Sequence, residues 1–221
     1  MISRSIGSSE QGAANRLSYR ERGVRMLERL IIATHSAGKF SEFAQALSEV
    51  AVSIDPLPPG AMTPAETGSS FLENALIKAR FAAANWRVPV LADDSGLVVD
   101  ALNGAPGVYS ARFAGPGASD LERQALLLER LRGVPPYERR ARFVAALVLL
   151  VPGRGEWTAI GNCEGQIALE PMGAQGFGYD PIFYFPPAAK TFGQMSSAEK
   201  QLVSHRTAAL TELLRRFRAS S

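Results

Sequence analysis

The sequence predicts an α/β fold built on a mixed sheet. Three observations carry that expectation. Apolar segments with strand character alternate with segments whose apolar residues recur at helical spacing. Two long apolar segments face each other across the turn "PGRG", which sets an antiparallel hairpin among the strand–helix units. The 221 residues, 46% apolar and 20% charged, match one ordinary soluble domain with a real core.

Each element has its own signal. Residues 30–33, in "ERLIIAT", read as the core of a first strand. Phe40, Phe43, Ala44, Leu47 and Ala51 then make an apolar helical stripe. The prolines and glycines of "DPLPPGAMTPAETG" predict a loop. Ser70 and Glu73 match a capping box, so a helix opens there and runs to about Asn85. Residues 88–92 read as a strand, which Asp93 and Asp94 interrupt. Residues 97–101 read as another strand, and Asn103-Gly104 as a turn. A helix spans 119–133, and residues 143–151 and 156–169 form the hairpin. "MGAQGFGYDP" is a glycine-rich loop. Ser196 and Glu199 repeat the capping box and open one final helix to about Phe217.

Charge separates a leader from the domain. Residues 1–25 hold five of the 24 Lys and Arg and two of the 21 Asp and Glu, which leaves 19 of each sign after them. The net charge of +3 therefore belongs to residues 1–25. That leader, rich in Ser, Gly and Arg, is expected to be a disordered tail or a stretch upstream of a start at Met26. Residues 26–221 are expected to form a single domain. Its neutral charge argues against nucleic acid as a partner. No apolar run approaches the ~20 residues that cross a bilayer, so no membrane partner is expected. Cys163 is the only cysteine. It excludes an internal disulfide framework and a multi-cysteine zinc site, and it suits a reducing, cytoplasmic setting.

Four stretches carry side chains suited to chemistry. In "ATHSAGKFSEF" a strand runs through a small polar loop into a helix start. Its free N–H groups, with the hydroxyls of Thr34 and Ser36 and the amine of Lys39, suit a phosphate. The same pattern taken alone is more often an ordinary strand–helix turn, and it is not a P-loop, since Phe40 follows Lys39. Asp93 and Asp94 break an apolar strand, a costly placement unless the charges are paired or bound to a metal. Neighbours on a strand face opposite ways, so the two need not share a role. With Glu66 they offer the oxygen donors that Mg²⁺ takes alongside substrate phosphates. In "GFGYDP", Phe177 and Tyr179 offer flat faces and Asp180 an acceptor; a tight turn packed by two aromatics reads as well. In "KQLVSHR", Arg206 falls on the apolar stripe of the final helix, so either its stem snorkels or that first turn faces a cleft. His205 beside it reads as a surface histidine, and the distance in sequence to His35 makes a zinc site improbable.

Together these motifs resemble the inosine triphosphate pyrophosphatases, which hydrolyse non-standard purine nucleoside triphosphates. The likeness runs from about Leu27 to Phe217, through "ETGSSFLENALIKA", "LADDSGLVVDALNGAPGVYSARFAG", "GFGYDPIF" and "SSAEKQLVSHR" in the family's order. It implies an elongated two-lobed α/β structure with the site in the cleft, Mg²⁺ as cofactor, and a homodimer. It implies hydrolysis of ITP, dITP and XTP to the monophosphate and pyrophosphate. By resemblance Thr34, His35, Ser36, Ala37, Gly38 and Lys39 hold the triphosphate, and Lys78 reaches phosphate. Asp94 is the proton acceptor and, with Glu66, a metal ligand; Ser95 binds substrate. Phe177, Gly178, Tyr179 and Asp180 hold the base, Phe177 by stacking, and Lys200, His205 and Arg206 complete the pocket. One departure stands out. The family commonly reads T-x-N-x-x-K in the first loop, and here Ser36 takes the asparagine's place. The Maf-like pyrophosphatases share the reaction on pyrimidine nucleotides, but "GFGYDP" and "SHR" speak for the purine enzymes. A non-catalytic nucleotide-binding module is the reading from another class, and the joint presence of Lys39, Glu66 and Asp94 speaks against it.

Overall fold

The computed structural model describes residues 27–48 and 50–220, so the leader lies outside the described residues. Seven strands form one sheet in the order β2-β1-β3-β4-β5-β6-β7. They are β1 (Leu27–Ala33), β2 (Ala51–Pro56), β3 (Val90–Val99), β4 (Arg140–Val151), β5 (Gly155–Ile167), β6 (Phe183–Phe185) and β7 (Lys190–Thr191). β1 runs parallel to both β2 and β3, and every later pair is antiparallel. The helices are α1 (Ala37–Leu47), α2 (Phe71–Trp86), α3 (Asp120–Arg130), α4 (Ser197–Val203) and α5 (His205–Ala219). The mixed α/β sheet is the one expected.

Three differences from the sequence reading matter for the site. β3 is a single ten-residue strand, not two. Asp93 and Asp94 stay in register with Leu147 and Ala146 of β4, so the backbone ladder continues through the charges. What the carboxylates interrupt is the apolar pattern alone. β2 was missed because Ala51 continues the helical spacing and the prolines after it signal loop. β2 is an edge strand that ends at Pro56, where a proline is tolerated. The final helix is two helices. Ser204 adopts an extended conformation, and its hydroxyl accepts from the Thr207 N–H, which caps α5.

α1 and α2 cover opposite faces of the parallel part of the sheet. Phe43 and Leu47 of α1 pack with Leu30, Ile32 and Leu91, joined by Leu210, Leu213 and Phe217 of α5. Ala75, Ala79, Ala82 and Ala83 of α2 pack on Ile31, Ala33, Val90 and Ala92. Four alanines bring α2 close to the sheet. Full burial of each larger aliphatic chain contributes roughly 1.5–3 kcal/mol. A third cluster, around Phe143, Phe183 and Phe192, fills the far end with Leu127 of α3 and Leu131, its C-cap. Because β2 and β3 lie on opposite sides of β1, the chain changes direction at the carboxyl end of β1. Such a switch point leaves a crevice for ligands.

Gly161 of β5 sets the height of α5. A β-carbon there would stand 2.3 Å from both the His205 carbonyl oxygen and the Ala209 nitrogen. Gly161→Ala is therefore expected to cost about 1–3 kcal/mol, the usual price of overpacking. Urea unfolding measures the loss, and an unchanged midpoint would show that α5 does not rest on this glycine.

Candidate active site

A cavity of about 710 Å³ opens at the switch point. The sequence segments set apart above converge on it. Thr34, His35, Ser36, Gly38 and Lys39 line it from the β1–α1 turn. Ser36 is the N-cap of α1: its hydroxyl accepts from the Lys39 N–H at 3.4 Å, and its own N–H donates to Thr34 Oγ1 at 3.1 Å. Ala37 is exposed and does not line the cavity.

β3 supplies the floor, and its alternation sends the two carboxylates to different helices. Asp93 faces α1, where its Oδ2 meets Lys39 Nζ at 2.6 Å and accepts from the Ser95 hydroxyl at 3.1 Å. Asp94 faces α2, where its Oδ1 meets Lys78 Nζ at 2.7 Å and its Oδ2 accepts from Asn74 Nδ2 at 3.3 Å. Lys78 also reaches Glu66 Oε1 at 3.1 Å, and Arg112 holds Glu66 Oε2 at 3.0 Å. Asp93, Glu66 and Lys78 line the cavity; Asp94 is joined to its wall through Lys78.

Phe177, Gly178, Tyr179 and Asp180 complete the lining together with His205 and Arg206. Gly38 has no β-carbon because the Phe177 ring lies there, 2.7 Å from where one would stand. Lys200 Nζ sits 4.6 Å from the centre of that ring and the Arg206 guanidinium 5.2 Å, both within cation–π range. Lys200 also pairs with Asp180 Oδ2 at 2.6 Å and lines a smaller cavity, about 260 Å³, beside the first. Glu42 of α1 ties this end together, accepting from Lys200 at 3.1 Å and from Arg206 at 3.0 Å. Arg206 in turn donates to the Ser95 hydroxyl at 2.9 Å.

Two expectations for the last motif are thereby settled. Arg206 is 7% exposed and faces the cleft. His205 is not a surface residue: it is 1% exposed and stacks on Phe143 with ring centres 4.8 Å apart. The helix break at Ser204 turns both residues inward. Glu42, Asn74 and Arg112, which no sequence motif singles out, contact the site's charged groups: Glu42 meets Lys200 and Arg206, Asn74 meets Asp94 and Arg112 meets Glu66. For Glu42 a signal existed, since it stands three residues after Lys39 on one helix face.

The Ham1 family model matches residues 30–216. The chain belongs to the Ham1 family. It is 48% identical, over 85% of its length and 93% of that protein's, to a dITP/XTP pyrophosphatase of Geobacillus kaustophilus. It is 47% identical to one of Thermus thermophilus, over 86% and 92%. The Ham1 protein of Staphylococcus aureus superposes with a TM-score of 0.77 at 38% identity, covering 87% of this chain and all of that one. The Coxiella burnetii HAM1 structure gives 0.76 at 40%, covering 87% and 98%.

Burial and charge set the protonation states at this Ham1 site. Burial works against the Asp93 carboxylate, but Lys39, Arg206 and Lys78 together hold it below the usual carboxylate range. Burial pulls the Lys39 amine below its usual value despite Asp93. Burial raises Asp94 in spite of Lys78. His205 is driven well below the ordinary histidine value by burial and by the cations Arg206, Lys200 and Lys39, so it is a neutral imidazole. Five buried side-chain atoms among the described residues have no hydrogen-bond partner: Asp93 Oδ1, Gln124 Oε1, both His205 nitrogens and Arg206 Nε. Asp93, His205 and Arg206 all line this cavity.

The donor set also suits a hard divalent cation. Among the described residues no three His, Cys, Asp or Glu side chains converge to cage a metal alone. Magnesium needs no cage, since one or two carboxylates and the substrate's phosphates suffice. Glu66 and Asp94 already share one cationic group, the Lys78 amine, through oxygen atoms.

Asp93 is expected to be worth more to the fold than to any single contact. Asp93→Asn leaves the Lys39 charge buried and unmatched, a loss of about 3–5 kcal/mol. The double variant Asp93→Asn with Lys39→Met removes both charges and is expected to recover part of that loss. Chemical denaturation of the three proteins checks it; a double variant no more stable than Asp93→Asn would refute the pairing as the cause.

Proposed function

We propose that this enzyme hydrolyses non-canonical purine nucleoside triphosphates, ITP, dITP and XTP, to the monophosphate and pyrophosphate. The observation that supports it best is the polarity of one cavity. Two lysine–carboxylate pairs stand at one end, and a ring backed by two buried cations stands at the other. A triphosphate fits the first end and a purine the second. The names of the relatives point the same way.

Lys39 and Lys78 face the phosphates and balance the charge of the leaving pyrophosphate, with the amides and hydroxyls of the β1–α1 turn around them. Asp94 accepts the proton of the water that attacks the α-phosphorus. Ser95, held between Asp93 and Arg206, orients the substrate. Glu66 and Asp94 would hold a divalent ion, taken to be Mg²⁺, which when bound acidifies water and neutralises phosphate charge. Phe177 stacks on the base. Arg206 and His205 present N–H donors, which suit the 6-keto oxygen of hypoxanthine or xanthine and oppose the 6-amino group of adenine. A buried donor facing a donor is rejected strongly. Among the described residues no helix is long and apolar enough to cross a membrane. A homodimer acting on the cytoplasmic nucleotide pool completes the proposal, and sedimentation of the purified protein tests the dimer.

Pyrophosphate release from ITP, XTP, dITP, GTP, ATP and dTTP, with and without Mg²⁺, tests the reading. Magnesium-dependent release from ITP and XTP with ATP nearly inert is expected; turnover of dTTP alone would overturn it. Asp94→Asn is expected to lower kcat by at least ~100-fold, as for loss of a general base, and near-normal turnover removes Asp94 from that role. Arg206→Ala is expected to shrink the preference for ITP over ATP by about tenfold or more, and an unchanged ratio would move the base contact elsewhere.

A further inference from the structure

The ring that meets the base is carried by a segment poorly suited to hold it. Residues 176–180 include two glycines with positive φ, Gly176 and Gly178, and glycines leave a chain free to move. The segment is nonetheless tied down: the Phe177 N–H donates to Asp180, the Tyr179 hydroxyl to the Ser110 carbonyl, and the two ties at Gly178 come from α3. The Gly178 N–H donates to Asp120 Oδ2 at 2.7 Å, and the Gly178 carbonyl accepts from Gln124 Nε2 at 2.6 Å. Both peptide groups flanking Gly178 are therefore fixed by side chains one helical turn apart. Arg123 steadies the same turn: it pairs with Asp120 and donates to the Ala118 and Ala111 carbonyls.

The helix pattern shows that this is not incidental packing. Gln124, Leu127 and Leu128 of α3 and its C-cap Leu131 lie on one stripe, at the spacing of a core face. Leu127 and Leu131 are fully buried, and Leu128 packs with them. Gln124 occupies a core position at 4% exposure, and its Oε1 finds no partner. A leucine would fill such a place without an unmet acceptor. The amide's one hydrogen bond goes to Gly178.

We propose that Asp120 and Gln124 form a clamp that presets Phe177 for the base, with Gln124 as a positioning residue that acts through Gly178. Asp120 lines the cavity and Gln124 does not. The ring has little room for error. It lies against Gly38 on one side and within reach of Lys200 and Arg206. A shift of the Gly178 peptides moves it off all three. The clamp thus governs how tightly the base end is held, while the lysine–carboxylate pairs that face the phosphates are untouched. This deepens the function proposed above and rests on it for the ligand's identity.

The test compares wild type with Gln124→Leu and Gln124→Glu. The first removes the donor and the unmet acceptor; the second keeps the shape and sets a carboxylate against the Gly178 carbonyl. KM and kcat for ITP, Tm, and hydrogen–deuterium exchange of residues 176–181 are measured. In both variants KM is expected to rise about fivefold to a hundredfold, the span for one unpaired buried carbonyl, with faster exchange in the segment. The kcat is expected to stay within about twofold, as for loss of binding shared by ground and transition states. The Tm of Gln124→Leu is expected to be unchanged or higher, and Gln124→Glu decides the matter should Gln124→Leu not fold. Where the wild type hydrolyses ITP, an unchanged KM in both variants overturns the clamp alone, as do changes in kcat and KM that merely follow Tm. A wild type that neither binds nor hydrolyses ITP overturns the functional reading and the clamp with it.

Discussion

Two carboxylates buried side by side in the middle of a strand are the constraint around which this molecule is arranged. Asp93 and Asp94 keep their place in the β3–β4 ladder, so the backbone gives them no relief from burial. Each must find a cation on its own face of the sheet, because a buried charge is tolerated only when paired. α1 answers with Lys39 on one face, and α2 answers with Lys78 on the other. The position of both helices is thus fixed by charge as well as by apolar contact. The alanine face of α2 follows from the same need, since a bulkier face would hold Lys78 away from Asp94.

The second half of the molecule is joined to this arrangement by a chain of hydrogen bonds as well as by the core that α5 shares with α1. Asp93 accepts from Ser95, Ser95 from Arg206, and Arg206 shares Glu42 with Lys200, which pairs with Asp180. The break at Ser204 makes that chain of contacts possible. An unbroken helix through 197–217 would carry Arg206 on a continuous stripe. The restart at His205 instead places His205 and Arg206 in a first turn that rests on Gly161 and faces the cavity.

Much of this was legible in the sequence, and what was not has physical reasons. Local signals are borne out in part: the capping box at Ser196 forms as expected, whereas Ser70 caps its helix alone because the Glu73 carboxylate accepts from Ser69 instead. Asp93 and Asp94 were conspicuous, because charge in an apolar strand is a conflict that sequence displays. The conclusion that the strand must stop there was wrong, since hydrogen bonding to β4 does not depend on side-chain polarity. For His205 only the resemblance points inward, because a single histidine carries no burial signal of its own; the stacking partner, Phe143, lies 62 residues away on β4. Glu42 and Gln124 were overlooked for a related reason. Each sits on an otherwise ordinary amphipathic helix, and only the tertiary fold brings Lys200 to the one and Gly178 to the other.

The unmet polar atoms explain how so many internally satisfied groups still leave a site. The paired lysines and carboxylates neutralise one another, so a ligand gains there only by exchanging one set of charge contacts for another. Specificity has to come from atoms that gain a partner they lacked. Those are Asp93 Oδ1, the two His205 nitrogens and Arg206 Nε. A buried polar atom without a partner costs about 1–3 kcal/mol, and a ligand group that supplies the missing bond recovers it, whereas a mismatched group does not. His205 sharpens the choice. As a neutral imidazole it offers one donor and one acceptor, and burial beside three cations keeps it from becoming a donor at both nitrogens. In the function proposed above, selectivity at the base end therefore does not rest on a protonation state that shifts with the surroundings. It rests on a fixed pattern of donors and acceptors, held in place by the carboxylate-centred network that the strand imposed.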